Sequence, residues 1–484
     1  MNAFGYIVML AWIPVVLFLF SRLPIQRALI ISFLIAWLLL PMGEIKLAGI
    51  PNYTKMSATC YGVLLATFIF DFQRLGQFRP HWIDLPMMLW CLCPSVSSLT
   101  NGLGPYDAVS ATLAQIVTWG FPYFLGRLYL GTFKGLQQLA IAIVWGGLIY
   151  VPLCLIEIRL SPQLHMWLYG FYPQSFDQTF RYGGFRPIVF MEHGLMVGTW
   201  MMTATLLAFW FWRAGSLQAT LRQFAQGTPP KAKVQREPLW GVSFAIFLGL
   251  LVTFVMVKAT GAYFLLVLGI AIVLGMRWWQ TSLPLLLVVV VTSGYLTFNA
   301  MGGMTPTAIK QISTVATRFT NVERASSLVF RLDNEAKLSE KARQQPLFGW
   351  GGWGRSRIYD EFGKDIAVTD SLWIITFGNF GTVGLVAWMG ALLSPVLAFV
   401  LMRYPPNTWW HPQVLPAAVL AIGLVLYVMD CLVNSMVNPI YTLIAGGIAG
   451  LVARPAATRP PQSSQPLNVF PLYVSSEDGK SSIY

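Results

Sequence analysis

Only 11% of this 484-residue chain is charged, under half of the roughly 25% usual in soluble domains. That scarcity excludes an ordinary soluble globule. The five cysteines (Cys60, Cys91, Cys93, Cys154, Cys431) all fall inside apolar runs. Cys91 and Cys93 are the only close pair, and neighbours two apart on a helix do not face each other, so neither a disulfide framework nor a zinc site is readable. No Asp-X-Asp occurs, which removes the usual carboxylate pair for a metal-bound nucleotide-sugar. No Gly-Lys-Ser/Thr follows the one glycine-rich loop, so there is no P-loop. No internal repeat of fixed period is visible, which disfavours transporters built from inverted repeats.

What the chain has instead is apolar length. Hydrophobic residues make up 56% and the mean hydropathy is +0.61. Runs long enough to cross a bilayer, about 17 to 25 residues each, fall near 5–20, 26–41, 56–70, 85–99, 107–130, 136–156, 187–212, 240–257, 260–276, 283–298, 372–402, 413–432 and 436–452. The expected fold is an all-α polytopic membrane protein of 12–13 transmembrane helices. Residues 1–298 hold helices 1–10 with a basic cytoplasmic loop at 213–238. Residues 299–370 form one large loop, 371–453 the C-terminal helices, and 454–484 a Pro/Ser-rich tail that reads as disordered.

Lysine and arginine set the orientation, because cytoplasmic loops carry their excess. One face holds 16 basic residues, the other 6 in its short loops, and the large loop adds 10. Long loops cross largely regardless of charge, so 16 against 6 decides, and the large loop is expected in the periplasm. No basic residue precedes Arg22, which suits an outside start and argues against a cleaved signal peptide. The net charge of +13 follows from this bias and from contact with anionic lipid. It does not point to nucleic acid.

The large loop is where chemistry concentrates. Thr320-Asn321-Val322-Glu323 reads as a capping box opening an amphipathic helix that carries Arg324 and Arg331, two turns apart on nearly one face. Next comes Pro346-Leu347-Phe348-Gly349-Trp350-Gly351-Gly352-Trp353-Gly354-Arg355-Ser356-Arg357. Its glycines suit a backbone anion nest, and its arginines offer forks that match phosphate. Asp370 stands where the chain re-enters the bilayer, placed either as a helix cap or as a general base. A second cluster, Arg181-Tyr182-Gly183-Gly184-Phe185-Arg186-Pro187, runs toward Glu192 and His193, expected ~6–8 Å along a helix at 1.5 Å per residue. Lys258 and Asp430 reach similar depth. Charge within a membrane usually faces a cavity or a partner, so these groups point to one outer cavity. The bland alternatives stay open: a helix lying on the membrane surface, tryptophan anchors, and neutralisation of Glu192 by Arg186.

In order, these motifs resemble the O-antigen ligase and polymerase superfamily of bacterial membrane glycosyltransferases. The likeness runs from Arg181 to Leu385. It includes Arg186-Pro187 through Glu192-His193-Gly194-Leu195, Arg331, Pro346 to Gly351, Asp370-Ser371-Leu372-Trp373, and Gly378-Asn379-Phe380-Gly381-Thr382-Val383-Gly384-Leu385. Two positions depart from it: Asp370-Ser371 stands where the family usually carries His-Asn or His-Ser, and Lys258-Ala259-Thr260-Gly261-Ala262 where it usually carries Ser-Arg-Gly.

The resemblance implies a GT-C type architecture in the bacterial inner membrane. It also implies an undecaprenyl-pyrophosphate-linked glycan as donor, and a second glycan or lipid A core as acceptor. Arg331 and Arg186 would hold the pyrophosphate, with Arg181, Arg324, Arg355, Arg357 and Lys258 assisting. Asp370 would be the base, His193 the second choice, with Glu192 beside it. No metal and no cofactor are expected. The competing classes are a transporter or flippase of the same lipid-linked glycan and a non-catalytic partner in polysaccharide export.

Overall fold

A computed structural model describes residues 1–46, 51–215, 217, 221, 241–319, 322–409 and 411–454. The basic connector at 213–238, apart from its first residues, and the tail beyond Arg454 lie outside the described residues, as do Thr320 and Asn321 of the expected capping box.

Every one of the thirteen apolar runs contains a helix. In order they are α1 (Ala3–Arg22), α2 (Ile25–Leu39), α3 (Lys55–Phe70), α4 (Leu85–Thr100), α5 (Pro105–Tyr129), α6 (Phe133–Leu160), α7 (Gly194–Arg213), α8 (Val242–Met256), α9 (Thr260–Trp279) and α10 (Leu283–Ala300). The amphipathic pair α11 (Pro306–Phe319) and α12 (Val322–Ala342) follows, then α13 (Leu372–Ala398), α14 (Leu415–Asp430) and α15 (Pro439–Ala453). Among the described residues seven helices are long and apolar enough to cross a membrane, and six shorter apolar ones lie beside them. The only sheet there is two pairs of two-residue strands. This is a mostly helical, multi-pass membrane protein.

Side-chain burial shows which surfaces meet lipid. α14 and α15 are buried along nearly their whole length, and Tyr427 of one stacks on Tyr441 of the other at 4.1 Å. α10 instead leaves Leu287 and Val290 exposed by 64% and 66%, a surface that suits hydrocarbon rather than water.

With no hydrophobic force between helices in lipid, close packing depends on small residues. α5 and α15 meet this way. A Cβ on Gly446 would sit 2.0 Å from the Tyr123 carbonyl oxygen, and one on Gly126 2.3 Å from that of Leu443.

Two expectations need correction. The run at 187–212 is not one helix: α7 begins only at Gly194, so Glu192 and His193 precede it rather than lying within it. The cause is Glu157 of α6, fully buried, whose carboxylate accepts the N–H groups of Ile188 (2.8 Å), Val189 (2.7 Å) and Leu164 (3.0 Å). The Ile188 and Val189 donors are held outside any helix, and Val189 has φ +51°. α13 also breaks, at Gly381 (φ 65°, ψ −161°), a conformation open essentially to glycine alone.

Gly446→Val is expected to force α5 from α15 and cost about 3 kcal/mol, seen as a lower melting temperature in detergent. Gly249→Ala, where no atom beyond the neighbouring residues and helix backbone lies within 4 Å of the new Cβ, is expected not to lower it, since alanine favours a helix over glycine.

Candidate functional site

The α11–α12 pair sits on one end of the bundle. Met304, Ile309 and Leu332 form its small apolar core, and Ser339 of α12 donates to the Asn299 carbonyl at 2.9 Å. This packing sets Arg331 over the end of α14. Its Nη1 donates to the Val433 carbonyl at 3.2 Å, in the turn that follows the helix, where backbone carbonyls favour a cation. Its Nε lies 3.7 Å from an Asp370 oxygen, with both side chains about one-third exposed (34% and 37%). Asp370 therefore faces Arg331 and does not cap α13. The cap position belongs to Ser371, whose side chain makes no cap bond to the helix.

Glu335, one turn beyond Arg331, is a residue the sequence reading passed over. It is 5% exposed and accepts from Ser371 Oγ at 2.7 Å, Tyr295 OH at 2.9 Å and Trp373 Nε1 at 3.3 Å. Burial raises its pKa above the usual carboxylate value, against the pull of those donors and of Arg331. One carboxylate thus ties α10, α12 and the start of α13 together and fixes the backbone beside Asp370. Its i+4 spacing from Arg331 was the available signal. Asp430, also buried, accepts from Thr199 Oγ1 (2.9 Å) and Asn434 Nδ2 (2.7 Å) and lies within the field of Arg331.

A hairpin brings the second cluster to the same place. Phe180–Arg181 pairs with Gly184–Phe185 across Tyr182 and Gly183, both at positive φ. Lys258, itself at φ +58°, pins the turn by donating Nζ to the Arg181 and Tyr182 carbonyls (3.1 and 3.3 Å). Its charge holds backbone, and Arg181 is left exposed at the hairpin. Arg186 follows, 6% exposed, with Nη2 donating to the Lys258 carbonyl at 3.2 Å. Its Nε has no hydrogen-bond partner, and no carboxylate among the described residues pairs with it. Burial, then repulsion from Arg181, with a smaller push from Arg331, lowers its pKa to about 10. The guanidinium stays charged at neutral pH and lacks a counter-ion.

His193 caps α7: its Nδ1 accepts the Leu195 N–H at 3.0 Å, and Nε2 meets Gln178 Oε1 at 3.2 Å. An accepting Nδ1 leaves the proton on Nε2, where it donates to Gln178. Burial first, then Arg186, Arg181 and Arg331, lowers its pKa to about 4. Glu192 is exposed, and among the described residues no ion pair joins it to Arg186.

The structure therefore brings Arg181, Arg186, His193, Arg331, Asp370 and Lys258 to one end of the bundle. Arg355 and Arg357 belong to a different neighbourhood. Arg355 donates to the Asn101 carbonyl at 3.2 Å, and Arg357 pairs with Asp365 at 2.7 Å. The side chain of Arg324 lies outside the described residues.

The first half of the glycine-rich loop is not an anion nest. Its N–H groups are consumed: Gly349 donates to the Gln345 carbonyl, Trp350 to Gly378 (2.9 Å) and Gly351 to Asn379 (3.0 Å). In return Thr382 donates to the Pro346 carbonyl (2.8 Å) and Val383 to Leu347 (3.2 Å). The break at Gly381 exposes helix backbone that this loop satisfies, so the two glycine motifs form one interlock.

No protein-family model matches this chain, and no curated protein matches it.

Glu335→Ala would leave Ser371, Tyr295 and Trp373 without their acceptor. It is expected to cost about 3 kcal/mol, read as a lower melting temperature, with Glu335→Gln intermediate. For His193, the unfolded state binds a proton first, near the ordinary 6.5, while the folded state waits until about 4. Stability from this group is thus complete above pH 6.5 and lost as pH falls toward 4. His193→Asn, which keeps a capping side chain, is expected to flatten the melting temperature across that window relative to wild type.

Proposed function

We propose that this chain is a glycosyltransferase of the ligase or polymerase type. It would act on an undecaprenyl-pyrophosphate-linked glycan at the periplasmic face of a bacterial inner membrane. In this reading all thirteen apolar helices span the bilayer, as in GT-C type architectures, and residues 299–370 form the periplasmic loop. The observation that carries it is Arg186, a buried guanidinium with an unpartnered Nε and no counter-ion among the described residues, coupled to Arg331. Two fixed cations at one end of a membrane bundle form a site for a multiply charged anion, and arginine matches phosphate geometry.

Transfer needs no redox partner. The acceptor hydroxyl oxygen forms a bond to the anomeric carbon as the bond from that carbon to the pyrophosphate oxygen breaks, with inversion. The electron pair leaves with the lipid pyrophosphate, whose growing negative charge Arg186 and Arg331 stabilise more than water would. The hydroxyl proton passes to Asp370. Arg331 and Asp370 sit 3.7 Å apart, a loose pair. A phosphate arriving at Arg331 would draw it off Asp370 and free that carboxylate for the acceptor. The acceptor is lipid A core in a ligase and a second lipid-linked glycan in a polymerase.

Purified protein incubated with an undecaprenyl-pyrophosphate oligosaccharide, without added metal, tests this. Wild type is expected to lengthen the glycan, or to transfer it once lipid A core is supplied. Asp370→Asn is expected to slow either reaction by roughly 10²–10⁴, and Arg331→Ala or Arg186→Ala by roughly 10²–10³. An inactive wild type with both acceptors would refute the activity, and variants as fast as wild type would refute the site.

A further inference from the structure

The opposite end of the bundle carries a second basic site. α15 starts at Pro439, next to the Tyr427–Asn438 contact (3.2 Å) and a few residues beyond Asp430. Its 15 residues carry the chain ~22 Å away. There Ala453 and Arg454 line a cleft of about 280 Å³ with Arg74, Arg79, His81, Arg127, Phe78 and Leu128. Four guanidinium groups meet two carboxylates. Arg127 is spent on Asp84 (3.0 Å), while Asp71 stands 3.6 Å from Arg74, too far for a hydrogen bond. The Arg74 Nε is enclosed without a hydrogen-bond partner. The guanidinium groups of Arg79 and Arg454 meet no carboxylate among the described residues, leaving an excess of two positive charges.

The cleft is also built rather than incidental. Arg127 Nη2 donates to the Arg79 carbonyl (3.2 Å) and Arg403 Nη2 to the Arg454 carbonyl (2.9 Å), so the backbones of the two unpaired arginines are held in place. Arg127 lies over Phe78 and Arg74 over Tyr129, 5.6 and 5.3 Å from the ring centres. Burial and the nearness of Arg74 and Arg127 lower the pKa of Arg454, as expected where like charges outnumber the nearby carboxylates.

We infer that this cleft binds a phosphate ester, with Arg79 and Arg454 as its donors. The chemistry fits the headgroup of an anionic phospholipid. The cleft opens at helix ends, where such headgroups lie, and its wall includes the apolar side chains of Phe78 and Leu128. A soluble phosphate would use the same donors. This inference is independent of the proposed transfer chemistry.

Full-length protein in phosphatidylcholine nanodiscs, with and without one-fifth phosphatidylglycerol, gives the test, read as the shift in melting temperature. Parallel samples in pure phosphatidylcholine receive inorganic phosphate. Wild type is expected to be stabilised by phosphatidylglycerol. The double variant Arg79→Ala/Arg454→Ala should lose that shift, with apparent lipid affinity down roughly tenfold or more, while melting like wild type in pure phosphatidylcholine. Arg22→Ala/Lys134→Ala, which removes equal charge outside the cleft, should keep the shift. Stabilisation by inorganic phosphate, lost in the same double variant, would assign the site to a soluble phosphate. Full retention of the lipid shift by Arg79→Ala/Arg454→Ala, equal loss in the Arg22/Lys134 control, or no wild-type response to either ligand would overturn the inference.

Discussion

A guanidinium cannot escape burial by giving up its proton near neutral pH, and Arg186 is buried. Much of the loop end of this protein follows from that constraint. Glu157 spends its carboxylate on the backbone before α7 and does not reach Arg186. Lys258 spends its charge on the hairpin turn. Arg331 comes with Asp370, but at a distance and exposure that leave the pair loose. Positive charge is concentrated there, and the buried carboxylates Glu157 and Asp430 are committed to other donors. A fold selected only for stability has no use for this arrangement, since replacing a buried charge with well-packed apolar residues is often neutral or favourable.

Stiffness around the site comes from neutral hydrogen bonding and interlocked backbone. The break in α13 at Gly381 would leave helix carbonyls without partners, and the Pro346–Gly351 segment supplies them. Asn379 reinforces the joint: its side-chain oxygen accepts from Ser356 Oγ (2.8 Å) and its carbonyl from Ser97 Oγ (2.7 Å). Glu335 performs a similar task one helix away. The loop pair, the kinked α13 and the end of α14 are thereby fixed relative to one another, as a preorganised site requires.

Much of this was legible in the residues. Apolar length located all thirteen helices, because in a bilayer each backbone polar group must be satisfied within its own segment. The contact between Arg331 and Asp370 was not among the expectations, which gave each residue a role by itself. Other features were hidden for physical reasons. Hydropathy does not see φ, so the run at 187–212 concealed Val189 at φ +51° and the late start of α7 at Gly194. Glycine-rich composition does not say where N–H groups point, so the first half of a loop suited to an anion was found bonded to α13. Glu335 looks like one more charge on an amphipathic helix until Ser371, Tyr295 and Trp373 are folded against it.

Determining the structure of the protein with undecaprenyl pyrophosphate bound in a lipid nanodisc would be the decisive measurement. The expected result places the pyrophosphate against Arg186 and Arg331, with Asp370 drawn off Arg331 and facing open space beside the phosphate. A pyrophosphate held at Arg355 and Arg357 instead, or a lipid bound with Arg186 still unpartnered, would contradict it.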